Sequence, residues 1–382
     1  MRLASKRLLV PAIVLAGIGI AACSSNSSVP ATTGSASTTG STGTAAGLAA
    51  ARATIADADA APASIGVHTP LKTPAPAGDT FVWLRCDFAQ CGYTQVGVAA
   101  AVRALHWNLK VIDFNAANPA TLIAAMNQAL QYHPVAVSFN GNPYETWSQE
   151  VPAYEKAGVA IIPNYVGPLP LSKAVIADLA NPADLASQAR SIAAWMAVDS
   201  GGSGKALVLG VPSLPAIGAF PGDFESALRG FCPVCTTTTL SASESQVANP
   251  TAIDPLIVSA VQRDRSIKYV IVPDGGLTPG LPAALTGAGI SGVKIAGAQG
   301  SLENMTDIKI GSEQAFMAQD FTYLGWLDVD VAVRHVEGMA ISPGDGGLLA
   351  QLITKSNVGT PELNLDKPAD YQQEFERLWQ SK

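Results

Sequence analysis

Charge is scarce in this chain. Asp, Glu, Lys and Arg make up 14% of its 382 residues, against 48% apolar residues. The 23 basic residues are outnumbered by 30 acidic ones and gather in no stripe, which argues against a nucleic-acid surface. Histidine occurs four times, at 68, 106, 133 and 335, and no two stand at metal-ligating spacing. No Gly-x-Ser-x-Gly elbow is present. The run Gly201-Gly-Ser-Gly-Lys205 has the outline of a phosphate loop. It lacks the leading Gly and the Ser or Thr after Lys, and it precedes a strand-like segment instead of following one. Hydrolytic, metal and nucleotide chemistry therefore have no motif to rest on, and neither an enzyme nor a cofactor is expected. Beyond the first 22 residues no run of about 20 apolar residues could span a bilayer.

What is present starts at the N-terminus. Arg2, Lys6 and Arg7 precede the apolar stretch Leu8 to Ile20, and Ile20-Ala-Ala-Cys23 follows. A basic head, a short apolar core and small residues before a cut make a secretory signal. The pattern resembles a bacterial lipoprotein signal, which implies that Cys23 becomes the lipidated first residue of the mature chain. Each buried acyl CH2 contributes about 0.8 kcal/mol, so multiple chains hold a protein at a membrane. Loss of the three basic residues leaves 20 against 30 acidic ones, a net charge of −10 in place of −7. Ser24 to Gly47 is Ser-, Thr-, Gly-, Ala- and Pro-rich and is expected to be a flexible spacer. Leu48 to Ala60 is Ala-rich, a candidate surface helix, and prolines 62, 70, 74 and 76 follow. The folded body is expected from Asp79.

Four cysteines remain, in the local pairs Cys86/Cys91 and Cys232/Cys235. Outside the cytoplasm such pairs favour disulfides, each worth roughly 2 kcal/mol for so short a loop. Zinc is the alternative, but Cys-x4-Cys is an unusual zinc spacing. Cys232-Pro-Val-Cys235 also has the form of an oxidoreductase motif. That chemistry needs the first Cys at a helix N-terminus, and this pair follows a helical stretch.

The body alternates strand-like and helix-like segments, the mark of parallel α/β layers. Strands are expected at 80–85, 108–114, 135–139, 159–163, 205–210, 236–240, 268–273 and 293–296. Helices are expected at 96–105, 118–132, 145–157, 181–196, 223–230, 250–264 and 280–287. Asn118-Pro119 and Asn181-Pro182 supply the cap and first turn of two of these helices. The pattern restarts after Leu179, so two similar lobes with a cleft between them are expected. Ligands of open parallel sheets lie outside the carboxyl ends of the strands. Here the loops at those ends begin at Cys86, Asn140, Asn164, Val211, Asp274 and Gln299.

At this level the chain resembles the substrate-binding lipoproteins of ABC importers, in the sugar-binding branch with the type I periplasmic-binding-protein fold. The residues that carry the resemblance are Asn118-Pro119 with Ile123-Ala-Ala-Met-Asn-Gln-Ala-Leu, Pro134-Val-Ala-Val and Ala157-Gly-Val-Ala-Ile-Ile-Pro. Later come Ile267-Lys-Tyr-Val-Ile-Val-Pro-Asp, Val293-Lys-Ile-Ala-Gly-Ala-Gln-Gly and Ala318-Gln-Asp. The resemblance implies two Rossmann-like lobes joined by three crossovers that close on a small solute. The implied boundaries are 1–22 for the signal, 23–78 for the lipidated Cys and linker, 79–178 with 319–349 for the first lobe, and 179–318 with 350–382 for the second. It also implies ligand contacts at Asp87, Phe88, Gln90, Asn140, Asn164, Tyr165, Phe220, Asp274 and Gln299, and a hinge position at Gln319. Gln299 stands where the family often has Asp. Gly218-Ala-Phe220 stands where it often has Arg. The expected pocket is therefore less charged and more aromatic, suited to a sugar or a less polar solute. The implied partners are that solute, an ABC permease and, through the anchor alone, the membrane; the protein is expected to be a monomer. A surface lipoprotein that presents its bound state to a receptor kinase is the alternative.

Overall fold

The computed structural model describes residues 39–381 apart from 248, 342–346, 362–364 and 366. The signal segment and Cys23 lie outside the described residues. Two parallel sheets form the frame. The first has the order β2-β1-β3-β4, from β1 (Thr80–Arg85), β2 (Asn108–Asp113), β3 (Ala136–Asn140) and β4 (Ala160–Asn164). The second has the order β10-β9-β8-β7-β5-β6. Its strands are β5 (Lys205–Gly210), β6 (Thr236–Ser241), β7 (Tyr269–Val272), β8 (Lys294–Gly300), β9 (Ala315–Gln319) and β10 (Ala350–Thr354). Only the β9–β10 pairing among these is antiparallel. Both sheets therefore repeat one doubly wound order, in which the second strand lies outside the first. Val, Ile, Leu and Ala fill the central strands because helices cover both faces; β3, β4 and β7 are buried at every position.

In chain order the helices are α1 (Thr39–Asp59), α2 (Ala89–Ala104), α3 (Pro119–Leu130), α4 (Tyr144–Trp147), α5 (Val151–Ala157), α6 (Pro182–Asp199) and α7 (Pro215–Gly218). They continue with α8 (Phe220–Phe231), α9 (Glu244–Val247), α10 (Asp254–Arg263), α11 (Leu281–Gly287), α12 (Leu302–Ile310), α13 (Phe321–Val336) and α14 (Tyr371–Trp379). The single helix expected at 145–157 is instead α4, a 3-10 turn at Ser148–Glu150 and α5. Pro152 has no N–H to continue a helix from its N-terminal side, so the chain restarts there. Helix α6 begins with a full capping box, Asn181 Oδ1 accepting from Ala183 N at 2.8 Å and Asp184 Oδ2 from Asn181 N at 3.1 Å.

The chain crosses between lobes after β4, after β9 and on either side of β10. Helix α13 packs in the first lobe on α2, through glycines. A Cβ on Gly97 would overlap the Thr322 carbonyl, and one on Gly325 would overlap Thr94 O and Val98 N. Helix α14, expected in the second lobe, also packs in the first, where Tyr371, Phe375 and Trp379 join its apolar core. Trp379 stacks on Trp326 at 5.3 Å and donates its indole N–H to Asp330 at 2.7 Å. The stretch expected to be a spacer as far as Gly47 is helical from Thr39. Its alanines favour helix, and Ala51 is fully buried on the second lobe with Leu48 and Ile55 beside it. Folded structure therefore begins well before Asp79.

Candidate functional site

The carboxyl ends of both sheets face each other, and most of the expected ligand residues lie there. After β1 the chain enters a loop closed by the Cys86–Cys91 disulfide, with Cα atoms 5.6 Å apart. Cys232 and Cys235 are bridged likewise, with Cα atoms 5.3 Å apart, at the C-terminal end of α8. Both sulfur pairs are thus consumed, and the zinc alternative has no free ligands left in them. Within the first loop Asp87 is exposed and accepts from Ala116 N at 3.0 Å, pinning the loop after β2. Phe88 is 43% exposed. Gln90 reaches the other lobe: its Nε2 would lie 3.4 Å from a Cβ built on Gly276.

Gly276 belongs to the turn that presents Asp274. Asp274 is half-buried, and one carboxylate oxygen accepts from Gly276 N at 2.7 Å. Burial pushes its pKa up to about 6, partly offset by that bond. The turn is braced from beneath. Asn304 donates to Thr278 Oγ1 at 2.9 Å and to the buried Glu313 at 2.8 Å, and accepts from Ser301 N at 2.8 Å. It thereby joins the loop after β7 to the loop after β8. Gly275 is required where it stands, because a Cβ there would strike Asn304 Oδ1.

Beside Asp274 lies a ring of neutral groups. Gln319, at the end of β9, donates to Tyr165 Oη at 2.9 Å and to Gln299 Oε1 at 3.4 Å. Gln188 of α6 donates to Gln319 Oε1 at 3.0 Å and accepts from Gln299 N at 3.0 Å. Because Tyr165 Oη accepts from Gln319, its own O–H is left to donate elsewhere. Burial first, then the charges of Asp274, Asp184 and Asp328, hold this phenol well above its ordinary pKa. Tyr165 packs against the apolar cores of both lobes. Tyr165 and Gln299 have φ of 57° and 48°, the left-handed region, which costs a non-glycine residue roughly 1–3 kcal/mol and clusters at ligand clamps.

Asn140 and Asn164 turn inward instead of lining open space. Asn164 is fully buried and donates to Asp328 at 3.1 Å and to Asn140 Oδ1 at 3.0 Å. Ser138 donates to Asp328 at 2.7 Å. Burial pushes Asp328 up to about 8 against the effect of these hydrogen bonds. The two asparagines form the polar floor under the cleft, with Asn140, 6% exposed, nearer its surface. Phe220 is a correction: it is 1% exposed and stacks on Phe224 at 6.3 Å in the core between α8 and the second sheet. The missing family arginine is therefore not replaced by an aromatic wall. The residues unforeseen from sequence are Gln188 and Asp328. Each is a polar residue set among apolar ones on a buried helical face, Gln188 between Leu185 and Ile192 and Asp328 between Leu324 and Val331, which is the signal that could have marked them.

A family model described as the periplasmic binding protein domain matches residues 88–340. No curated protein matches the chain. Among solved structures, the 5-methylthioribose transporter solute-binding protein of Thermotoga lettingae, with 5-methylthioribose bound, is 15% identical at a TM-score of 0.65. That match covers 81% of this chain and 99% of that one. A sugar ABC transporter sugar-binding protein of Bacillus halodurans is 13% identical at a TM-score of 0.66, covering 74% and 100%. An ABC transporter solute-binding protein of Agrobacterium vitis with bound allitol is 18% identical at a TM-score of 0.62, covering 74% and 97%. At these identities the likeness establishes the fold.

Proposed function

Because the chain belongs to the periplasmic binding protein domain family, we propose that it is the solute-binding component of an ABC importer. It captures a neutral, hydroxyl-bearing small molecule between its lobes and delivers it to a permease. The observation that carries this reading is the approach of Gln90 on one lobe to the Asp274–Gly276 turn on the other, beside the Tyr165–Gln319–Gln299 ring. Amides and a phenol offer donors and acceptors in pairs, as sugar hydroxyls require. Asp274 adds one strong acceptor, and none of the cleft residues named above is a cation. An anionic ligand would have no counter-charge there and would lose its hydration without return. Phe88, half-exposed at the rim, suits the apolar face of a sugar ring. Similar chains carry 5-methylthioribose and allitol, which supports a pentose-derived or polyol ligand here.

The pattern from Arg2 to Cys23 supports a lipid anchor that holds the protein on the outer face of the cell membrane. The test is a thermal-shift screen of pentoses, hexoses, polyols, 5-methylthioribose, uronates and sugar phosphates. A ligand at 100 times its Kd stabilises the fold by about 2.7 kcal/mol. Neutral compounds are expected to raise Tm and to shrink the radius seen by small-angle scattering. A response confined to the anionic compounds, or no response to any, overturns the reading.

A further inference from the structure

The stretch ahead of β1 docks twice, once on each lobe. Its first dock is helix α1 on the second lobe. Leu48, Ala51 and Ile55 enter the apolar cluster of α6 and α8, and Gly47 lies so close to the Phe231 carbonyl that a Cβ would overlap it. The end of the helix is pinned to β10 and the turn after it. Gln351 donates to Asp59 O at 2.7 Å, and Asn357 donates to Asp59 Oδ1 at 2.6 Å. The second dock is on the first lobe. Ile65, Val67 and Leu71 are buried in its core. Tyr323 donates to Ile65 O at 2.7 Å, Leu71 N to Leu378 O at 2.8 Å and Ala75 N to Trp379 O at 3.0 Å. Gln380 donates to Leu71 O at 2.6 Å, and the Trp107 indole N–H to Pro76 O at 2.7 Å.

Between the docks run only residues 60–64, all exposed except the half-buried Pro62. At roughly 3.3–3.6 Å per residue, the chain from Asp59 to Ile65 can reach at most about 20 Å. Each dock belongs to a different lobe and is held by several buried groups, so separation of the lobes must draw on this short link. A simple tether would leave the fold at one point and carry no such constraint. The last turns of α1, which lead into the link, face the approach to β10. A cavity of about 460 Å3 has walls from Thr54, Asp57 and Ala58 of α1, from Asp184 and Gln188 of α6, and from Leu348 on the approach to β10. Gln188 is in turn the residue that grips Gln319 at the end of β9.

We propose that residues 39–76 form a further connection between the lobes, a strap that limits how far they open and thereby favours the closed, binding-competent arrangement. Its effect on affinity rests on the solute-binding reading above; the limit on opening does not. The link is exposed apart from half-buried Pro62, so it adds little to the closed form, and lobe opening is what would draw it taut. A limit of this kind raises the closed fraction, and apparent affinity rises with that fraction.

The test reads the lobes without any ligand. Nitroxide labels are placed at Gln128→Cys on α3 and Glu303→Cys on α12, both exposed, in a Cys23→Ala background that leaves no other free thiol. A specific protease site replaces residues 60–64, and pulsed electron resonance gives the interlobe distance before and after cutting. Cutting is expected to add a longer-distance component. An insertion of about ten Gly/Ser residues at the same place, which keeps both docks in one chain, is expected to add the same component. Deletion of Ala60 and Ala61 is expected to move the distribution shorter. An unchanged distribution in both the cut and the lengthened protein, whether or not the α1 fragment remains bound, overturns the strap. Binding measured on the same samples then separates the two ideas. A solute that binds with no change of interlobe distance on cutting refutes the strap alone. A longer distance on cutting with no solute bound refutes the solute-binding reading alone.

Discussion

Asp274 and Asp328 are both carboxyls raised by burial, yet they do different work. Asp274 keeps one oxygen on Gly276 N and has the cleft beside it. Asp274→Ala is expected to weaken solute binding by roughly one to two decades, the cost of about 1–3 kcal/mol for one lost polar contact in a buried site. The ligand-free Tm should hardly move, and calorimetric titration together with a melting curve checks both halves. Because the Asp274 pKa is about 6, a contact that needs the carboxylate should fade as pH falls below that value. Asp328 faces Ser138 and Asn164 inside the first lobe. Its pKa of about 8 lies above the ordinary Asp value of 3.8. From about pH 4 to pH 8 the native state therefore holds a proton that the unfolded chain has released. Stability from this group is complete below pH 4 and is lost as pH rises through 8, by at most about 1.4 kcal/mol per pH unit. Asp328→Asn should flatten the fall of Tm across that window. An equally steep fall in the variant would assign the dependence to other groups.

Among the elements, α2, α13 and α14 carry the first lobe. The contact of α2 with α13 has no room for a side chain at Gly97 or Gly325. Their replacement by leucine should cost about 1–3 kcal/mol or more through overpacking. Trp379→Ala removes a stacked, hydrogen-bonded indole from a core shared with Trp326 and Phe375. A loss of about 3–5 kcal/mol in denaturant unfolding is expected. The Cys86–Cys91 loop is a different case, because it carries Asp87, Phe88 and Gln90 at the cleft rim. Restricting this loop before binding lowers the cost of ordering it. The double Cys→Ser variant should lose affinity by more than its loss of stability accounts for. Unchanged affinity would reduce the bridge to a staple.

For the molecule as a whole, the repeat of one sheet order makes two lobes whose strand ends converge. The chain passes between them several times, before β1 included. Cys23→Ala should release the protein from membranes into the soluble fraction. Retention after a salt wash would end the lipoprotein reading.

The alternation of short β-branched runs with Ala-rich helical stretches was enough to place the strands of both lobes within a residue or two as far as β7. Buried parallel strands must be apolar throughout, and their connecting helices need caps such as Asn118-Pro119 and Asn181-Pro182. Strand order then placed the loops that begin at Cys86, Asn164, Asp274 and Gln299 at the carboxyl ends, whereas Gln90, Tyr165 and Gln319 were marked only by the family resemblance, Gln319 lying at the end of a strand that the pattern did not show. Local pattern could not decide orientation. Phe220 reads as an accessible aromatic until α8 turns it onto Phe224. Asn140 and Asn164 read as ligand contacts until the α13 carboxyl of Asp328 takes up the Asn164 amide, which also donates to Asn140 Oδ1. The Ala-rich segment 39–59 reads as a spacer followed by a surface helix until α6 and α8 offer it a face. For the asparagines and the 39–59 segment the partner lies far away along the chain, and for Phe220 it is the sheet under α8; only the folded molecule brings these within hydrogen-bond or packing distance.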